Sequence, residues 1–198
     1  FDEVLLYETY EKQDTSFFKT VKNFRSYQVV VEDIWGLTSE NWWFVDGDFE
    51  VEIFGETYSV QNTSSLSVDS GQPLTGQRIP NEIGLLTNLR NLILYNNQLV
   101  GTIPPEVGNL HNLKNIIING QEITGEIPIE LVNLPYLEKL DLIDNDFYGE
   151  IPSFLVDIPS IRTLSLSNNQ FTGEIPSEFG QNGIPISINL GSNGLNGS

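Results

Sequence analysis

The sequence predicts a stacked-repeat solenoid of the α/β class behind a smaller α+β unit. Three observations carry that prediction. The phrase L-R-N-L-I-L-Y-N-N-Q-L-V-G-T-I-P begins at Leu89 and returns at Leu113, Leu137 and Ile161. The starts are 24 residues apart each time (113−89, 137−113, 161−137), a period typical of chains that stack one supersecondary unit on the next. Residues 1–62 contain no copy of the phrase, so they form something else.

The pattern L-x-x-L-x-L-x-x-N-x-L-x-G-x-I-P runs from about Thr63 to Ser198 and resembles the plant-type leucine-rich repeat. That family includes receptor-kinase ectodomains, polygalacturonase inhibitors and related bacterial and protist surface proteins. The resemblance implies a right-handed leucine-rich-repeat solenoid. Its L-x-L segments form a parallel β-sheet on the concave side, with the Leu side chains inward. It leaves the ligand open, because one scaffold serves many partners. Secreted plant members usually close their ends with cysteine pairs, and this chain has no cysteine. That departure points to a bacterial or protist relative.

Taken in order, residues 1–62 are expected to form an N-terminal cap of helices plus a β-hairpin. Asp2-Glu3 ahead of Val4-Leu5-Leu6-Tyr7 reads as a helix start, with acids at the positive end of the dipole. Lys12-Gln13-Asp14-Thr15-Ser16 reads as a break and a new N-cap. Phe17, Val21, Phe24, Val31, Ile34 and Trp35 recur near helical spacing, and Gly36 ends that helix. The run Val29-Val30-Val31 inside it is β-prone. Trp42-Trp43-Phe44-Val45 meets Asp46-Gly47, a hairpin-turn dipeptide. Phe49, Val51 and Ile53 then alternate with Glu50 and Glu52 as a half-buried strand, and Gly55-Glu56 turns again. A cap of this kind covers the core face and strand edge that a first coil would otherwise expose. Trp35, Trp42, Trp43 and Phe49 are assigned to packing within it, with a ligand pocket as the alternative.

Six coils follow over 63–198, starting near Thr63, Leu89, Leu113, Leu137, Ile161 and Pro185. The first is two residues longer, through Ser70-Gly71-Gln72-Pro73 and Gln77-Arg78. The third carries Gln121 where the others carry Asn97, Asn145, Asn169 and Asn193. An Asn there is expected to face inward and satisfy turning backbone that would otherwise be buried unpaired. The longer Gln is expected to loosen its loop. No C-terminal cap is visible in the sequence, and the parent chain is expected to continue.

Composition excludes several functions. The chain holds 27 acids against 9 bases, a net charge of −18, which argues against nucleic acid and anionic membranes as partners. Apolar runs are only a few residues long, too short to span a bilayer. Without cysteine there is no disulfide framework, cysteine zinc site or thiol nucleophile. No cofactor and no metal are expected. The chain starts at Phe1 and has no Met, so a removed leader is expected, and with it an extracellular or cell-surface location. Asn62-Thr63-Ser64 and Asn196-Gly197-Ser198 make Asn62 and Asn196 candidate glycosylation sites.

Given the implied architecture, residues between the inward Leu positions align in columns across the concave sheet. One column is Ser67, Ile93, Ile117, Asp141, Ser165, Asn189. The next is Asp69, Tyr95, Asn119, Ile143, Ser167, Gly191, and a third is Ser65, Asn91, Asn115, Lys139, Thr163, Ser187. Ile93, Tyr95, Ile117 and Ile143 therefore cluster on a face that water should reach, rimmed by Arg90, Lys114, Asn119, Lys139 and Asp141. Branched apolar residues beside a Tyr fit a binding hot spot for a protein, peptide or carbohydrate. Plain strand propensity would also put Ile there.

Other candidates carry less. Glu126, Glu150 and Glu174 fill the x of G-x-I-P in successive coils and could attract cations, although solvated glutamates need no ligand. Asp144-Asn145-Asp146 offers oxygen ligands but completes no calcium loop. His111 is the single His and has no triad context. Thr75, Thr124 and Thr172 share a column that Val100 and Tyr148 interrupt, so a flat ice-binding array is not expected. The chain reads as a recognition module without enzyme activity. The alternative is a structural, adhesive or self-assembling segment of a larger surface protein.

Overall fold

The computed structural model describes residues 26–29, 42–45, 50–69, 74–180 and 186–196. In the N-terminal region, strand β1 (Ser26–Val29) pairs antiparallel with β2 (Trp42–Val45). Strand β3 (Glu50–Ile53) pairs antiparallel with β4 (Glu56–Ser59). Both pairings differ from expectation. Ser26–Val29 falls inside the helix expected over Phe17–Trp35, and its β-branched end prefers the strand. The strand Trp42–Val45 takes β1 as partner, and β3 takes β4. The latter hairpin closes through Phe54 and Gly55, with φ of 55° and 80°. Positive φ at both central residues matches the twist of the flanking strands. Val51 and Ile53 are buried in the same core as Leu66 and Ile83, so this hairpin covers the start of the repeat core. The expected first helix, the remainder of the second, Trp35, the Asp46-Gly47 turn and Phe49 lie outside the described residues, as do the side chains of Trp42 and Trp43.

From Ser65 onward the coils build three sides. The first is the parallel sheet of β5 (Ser65–Val68), β6 (Asn91–Tyr95), β8 (Asn115–Asn119), β10 (Lys139–Asp141), β12 (Thr163–Ser165) and β14 (Ser187–Asn189), ordered by coil. This is the expected concave sheet of a right-handed leucine-rich-repeat solenoid. The second side is a parallel sheet not anticipated from the repeat pattern. It consists of β7 (Val100–Gly101), β9 (Glu122–Gly125), β11 (Asp146–Glu150), β13 (Gln170–Gly173) and β15 (Gly194–Leu195). The third side is a row of short 3-10 turns at Asn81–Leu85, Pro105–Asn109, Ile129–Asn133, Ser153–Asp157 and Ser177–Gly180. Prolines such as Pro80, Pro104, Pro128 and Pro152 stand just before these turns in extended conformation, which suits their fixed φ.

The core is a stack of columns 24 residues apart, as in Leu92, Ile116, Leu140 and Leu164. One coil buries Leu113, Ile116, Ile118, Ile123, Ile127, Leu131 and Leu134. The rings of Phe147 and Phe171 stack at 6.2 Å in the same way. Each of these side chains needs the next coil to cover it, which makes the coils interdependent.

The chain leaves the concave sheet through a left-handed residue in each coil from the second to the sixth. Asn96, Gly120, Asp144, Asn168 and Ser192 fill that place, with φ between 50° and 66°. Asn, Asp and Gly tolerate this region best. Immediately beyond lies the inward amide. Asn169 Nδ2 donates to the carbonyls of Leu142 at 2.8 Å, Leu166 at 3.1 Å and Ser167 at 3.2 Å, and its Oδ1 accepts the Phe147 N–H at 3.0 Å. Asn145 and Asn193 donate in the same pattern. Gln121 departs, but its longer side chain stays buried. Its Oε1 accepts the N–H groups of Asn97 and Leu99 at 3.1 and 3.0 Å, while Nε2 reaches only the Asn119 carbonyl. Gln therefore keeps the acceptor half of the role and gives up most of the donor half.

Replacing Asn169 with Ala should lower unfolding free energy by about 2–4 kcal/mol, because several buried carbonyls and one N–H lose their partner together. Gln121→Asn should instead raise it by about 1 kcal/mol, since the shorter amide can reach the carbonyls its counterparts bind. Urea titrations followed by circular dichroism measure both.

Candidate functional site on the concave sheet

Strand pairing confirms the first column residue by residue. Ser67 faces Ile93, Ile93 faces Ile117, Ile117 faces Asp141, Asp141 faces Ser165 and Ser165 faces Asn189. Tyr95 faces Asn119 in the second column. Lys139 lies between Asn115 and Thr163 in the third. The columns are in register because the strands follow each other at the repeat length.

Exposure along this face is uneven. Tyr95 is 37% exposed, and Ile93 and Ile143 are half-buried. Ile117 is only 9% exposed and Asp141 7%, which corrects the expectation that water reaches the whole patch. Neighbouring strands are about 4.8 Å apart, so a central residue is walled in by the side chains on either flank. The open apolar surface is therefore Tyr95 with the edges of Ile93 and Ile143, and Ile117 forms its floor.

The polar rim is partly self-paired. Lys139 Nζ is 3.1 Å from Asp141 Oδ2, and Lys114 Nζ is 3.1 Å from Glu138 Oε1. The second pair is exposed and contributes at most about 1 kcal/mol. Asn119 Oδ1 accepts the Ile143 N–H at 3.1 Å, so Asn119 serves the sheet as well as its surface. Backbone bonds link Arg90 to Lys114, Lys114 to Glu138 and Glu138 to Arg162. These four form a lateral row at the start of the strands. Glu138 and Arg162 were not among the expected site residues, although their place directly after Leu137 and Ile161 repeats that of Arg90 and Lys114. Arg90 and Arg162 are exposed and form no ion pair among the described residues.

The second sheet carries the acids. Glu126, Glu150 and Glu174 are exposed and line an open groove of about 1140 Å³ together with Ile129, Phe154 and Ile175. The stems of Glu126 and Glu150 lie on the glycines of the next coil. Glu126 Cγ is 3.2 Å from where a Cβ on Gly149 would stand, and Glu150 Cγ is 2.9 Å from that point on Gly173. These glycines also have φ of 87° and 78°, so both conformation and close approach demand Gly. Register on this sheet advances by 22 residues, not 24: Thr124 faces Asp146 and Thr172 faces Glu150. Acids thus interrupt the threonine column as neighbours in the sheet.

Two further candidates have ordinary partners. Asp144 Oδ1 accepts from Asn168 at 2.6 Å and Asp146 Oδ1 from Gln170 at 2.8 Å. Among the described residues no group of three or more His, Cys, Asp or Glu could hold a metal ion. His111 is exposed in the turn before Leu113. Asn62 and Asn196 are exposed.

The Leucine Rich Repeat family model matches residues 88–110 and 160–182. The structure of the BIR3–SERK2 complex from Arabidopsis thaliana contains a chain 33% identical, with a TM-score of 0.57, over 73% of this chain and 72% of that one. This chain belongs to the leucine-rich-repeat family. Another solved leucine-rich-repeat structure is the Arabidopsis receptor kinase HAESA ectodomain with an IDA peptide hormone ligand. It is 32% identical, with a TM-score of 0.61, over 73% of this chain and 23% of that one. A plant ice-binding protein is 30% identical, with a TM-score of 0.61, over 67% and 42%. By sequence, no curated protein matches the chain. This leucine-rich-repeat chain spans only 16–23% of the length of three other receptor chains it resembles. Among the described residues, no helix is long and apolar enough to cross a membrane.

Substituting Gly149 with Ala should cost about 1–2 kcal/mol through its left-handed backbone alone, plus a contact penalty from Glu126. Pairing it with Glu126→Ala in a double-mutant cycle separates the two, because only the contact part is relieved.

Proposed function

We propose that this chain is an extracellular or cell-surface recognition module. It binds a peptide or protein segment through the concave sheet and carries out no catalysis. Residues 1–62 act as its N-terminal cap and residues 63–198 as its repeat solenoid. The binding residues are Arg90, Ile93, Tyr95, Lys114, Ile117, Asn119, Lys139, Asp141 and Ile143, extended by Arg162. The observation that carries this reading is the arrangement of the concave sheet: an open Tyr95 with the edges of Ile93 and Ile143 over an Ile117 floor, and exposed Arg90 and Arg162 at the start of the strands. Apolar anchors ringed by polar groups are where interfaces concentrate their binding energy. The HAESA likeness, a receptor ectodomain holding a peptide hormone, supports a peptide over a carbohydrate. The ice-binding likeness supports the scaffold alone, since acids break the threonine column on the second sheet. The solved relatives described above are plant proteins, and the bacterial or protist source expected from the sequence retains only the missing cysteines as support.

Crosslinking in the native surroundings, with linked peptides mapped by mass spectrometry, tests the reading. Links to a distinct partner are expected on 90–95, 114–117 and 139–143. Links confined to the second sheet and the 3-10 turns, mostly to copies of the chain, would make it a structural segment instead. A Tyr95→Ala, Ile93→Ser double variant should retain its melting temperature to within a few degrees and bind the linked partner at least about tenfold more weakly. If the chain passes through a eukaryotic secretory pathway, Asn62 and Asn196 should carry N-glycans. A mass shift on glycosidase treatment, lost in Asn62→Gln and Asn196→Gln, checks this.

A further inference from the structure

Asp141 is the one residue of the concave face whose chemistry packing does not account for. It lies in β10 between Leu140 and Leu142, both fully buried in the core, so strand alternation turns its carboxylate to the concave side. Its Oδ2 forms an ion pair with Lys139, while its Oδ1 is enclosed and has no hydrogen-bond partner among the described residues. Three other buried oxygens share that condition. Those of Asn97 and Asn145 belong to the inward amide ladder, and that of Glu106 belongs to the 3-10 turn Pro105–Asn109. Only Asp141 presents its oxygen on the sheet proposed to bind. An enclosed carboxylate oxygen without a donor is unfavourable, and a donor supplied by a ligand removes that penalty.

We propose that Asp141 is the polar anchor of the concave site and takes a neutral O–H or N–H donor from an extended peptide, with the Lys139 side chain moving aside to admit it. This rests on the concave-face reading above. Charge selects a neutral donor. Lys139 already balances the carboxylate, so a cationic side chain would meet a positive group beside it. Spacing selects the sequence around the donor. Ile117 and Ile93 lie one and two coils before Asp141 in the same column, which places the middle of the apolar floor about 7 Å away at about 4.8 Å per strand. Same-side residues of an extended peptide are about 6.8 Å apart. The ligand therefore carries an apolar residue and, two positions away, Ser, Thr, Asn or Gln.

Panning a random 12-residue phage-displayed peptide library against the wild type, Asp141→Leu, Asp141→Asn and the Tyr95→Ala, Ile93→Ser variant tests this. Circular dichroism first establishes that each is folded. Leu removes a buried charge and is expected to fold, and Asn keeps shape and acceptor as a second handle. The wild type should enrich the apolar–x–hydroxyl or amide motif. Asp141→Asn should keep it, and Asp141→Leu should keep the apolar preference but lose the other. Wild-type peptides should bind Asp141→Leu about ten- to a hundredfold more weakly by fluorescence anisotropy. Identical selection by the wild type and Asp141→Leu, or enrichment of Lys or Arg at the second position, overturns the anchor while leaving the concave site standing. Absence of enrichment over the Tyr95→Ala, Ile93→Ser variant overturns both.

Discussion

An inward side-chain amide, repeated at Asn97, Gln121, Asn145, Asn169 and Asn193, is the interaction on which this solenoid depends. The chain must turn out of the concave sheet within a few residues, and the turn takes backbone carbonyls into the core where no water can reach them. Asn169 donates to three carbonyls and accepts one N–H, joining its own coil to the one before it. An unpaired carbonyl at each turn would cost about 1–3 kcal/mol, and the penalty would recur with every repeat. The amide thus does more than close one loop. It ties each coil to the one before it, alongside the backbone pairing that brings Ile93, Ile117 and Asp141 into one column. Where Gln121 takes over, the accepting half survives, and Asn145 Oδ1 in the next coil has no partner.

The second sheet follows from the same closure. A coil that leaves the concave side through Asn or Gly at positive φ runs straight into a short extended segment before its proline. Such segments stack and pair coil to coil. Gly101, Gly125, Gly149 and Gly173 lie at or next to the ends of these strands with φ between 78° and 94°, and Thr102, Glu126 and Glu150 each lie along the next coil's glycine. The glutamates there have no choice of direction: their stems fill the space a Cβ would occupy, and only their carboxylates reach solvent. Their regular spacing is thus a packing arrangement before it is an electrostatic one.

The core columns and the concave register were legible in the sequence because every inward Leu repeats at one spacing, and register follows spacing once strands are parallel. What escaped were features set by neighbours in space. Ile117 and Asp141 read as exposed because a strand pattern tells which face a side chain takes and nothing of what flanks it across the sheet. The second sheet escaped because β7 and β15 are two residues long, too short for alternation to register. In the N-terminal region, Asp46-Gly47 gave a strong local signal for a hairpin. That turn lies outside the described residues, and the pairing seen in the region joins Ser26–Val29 to Trp42–Val45, distant in sequence and invisible to a local reading.

Charge gives the concave face a character the whole chain lacks. The net charge is −18, yet four of the nine basic residues, Arg90, Lys114, Lys139 and Arg162, lie on or beside the concave strands. The acids of the second sheet, Glu122, Asp146, Glu150 and Glu174 among them, lie beyond the turn out of those strands. Glu138 and Asp141 pair with two of the bases, Lys114 and Lys139, which leaves Arg90 and Arg162 as exposed bases without an ion pair among the described residues. Screening at physiological ionic strength reduces interactions beyond about 8 Å, so the acids of the second sheet weigh little at this surface. On the proposed reading, a peptide with an acidic end would be repelled by the second sheet and meet these two arginines at the concave one. Like-charge repulsion would then add to the specificity of the proposed site, since it discourages docking on the second sheet without any dedicated contact.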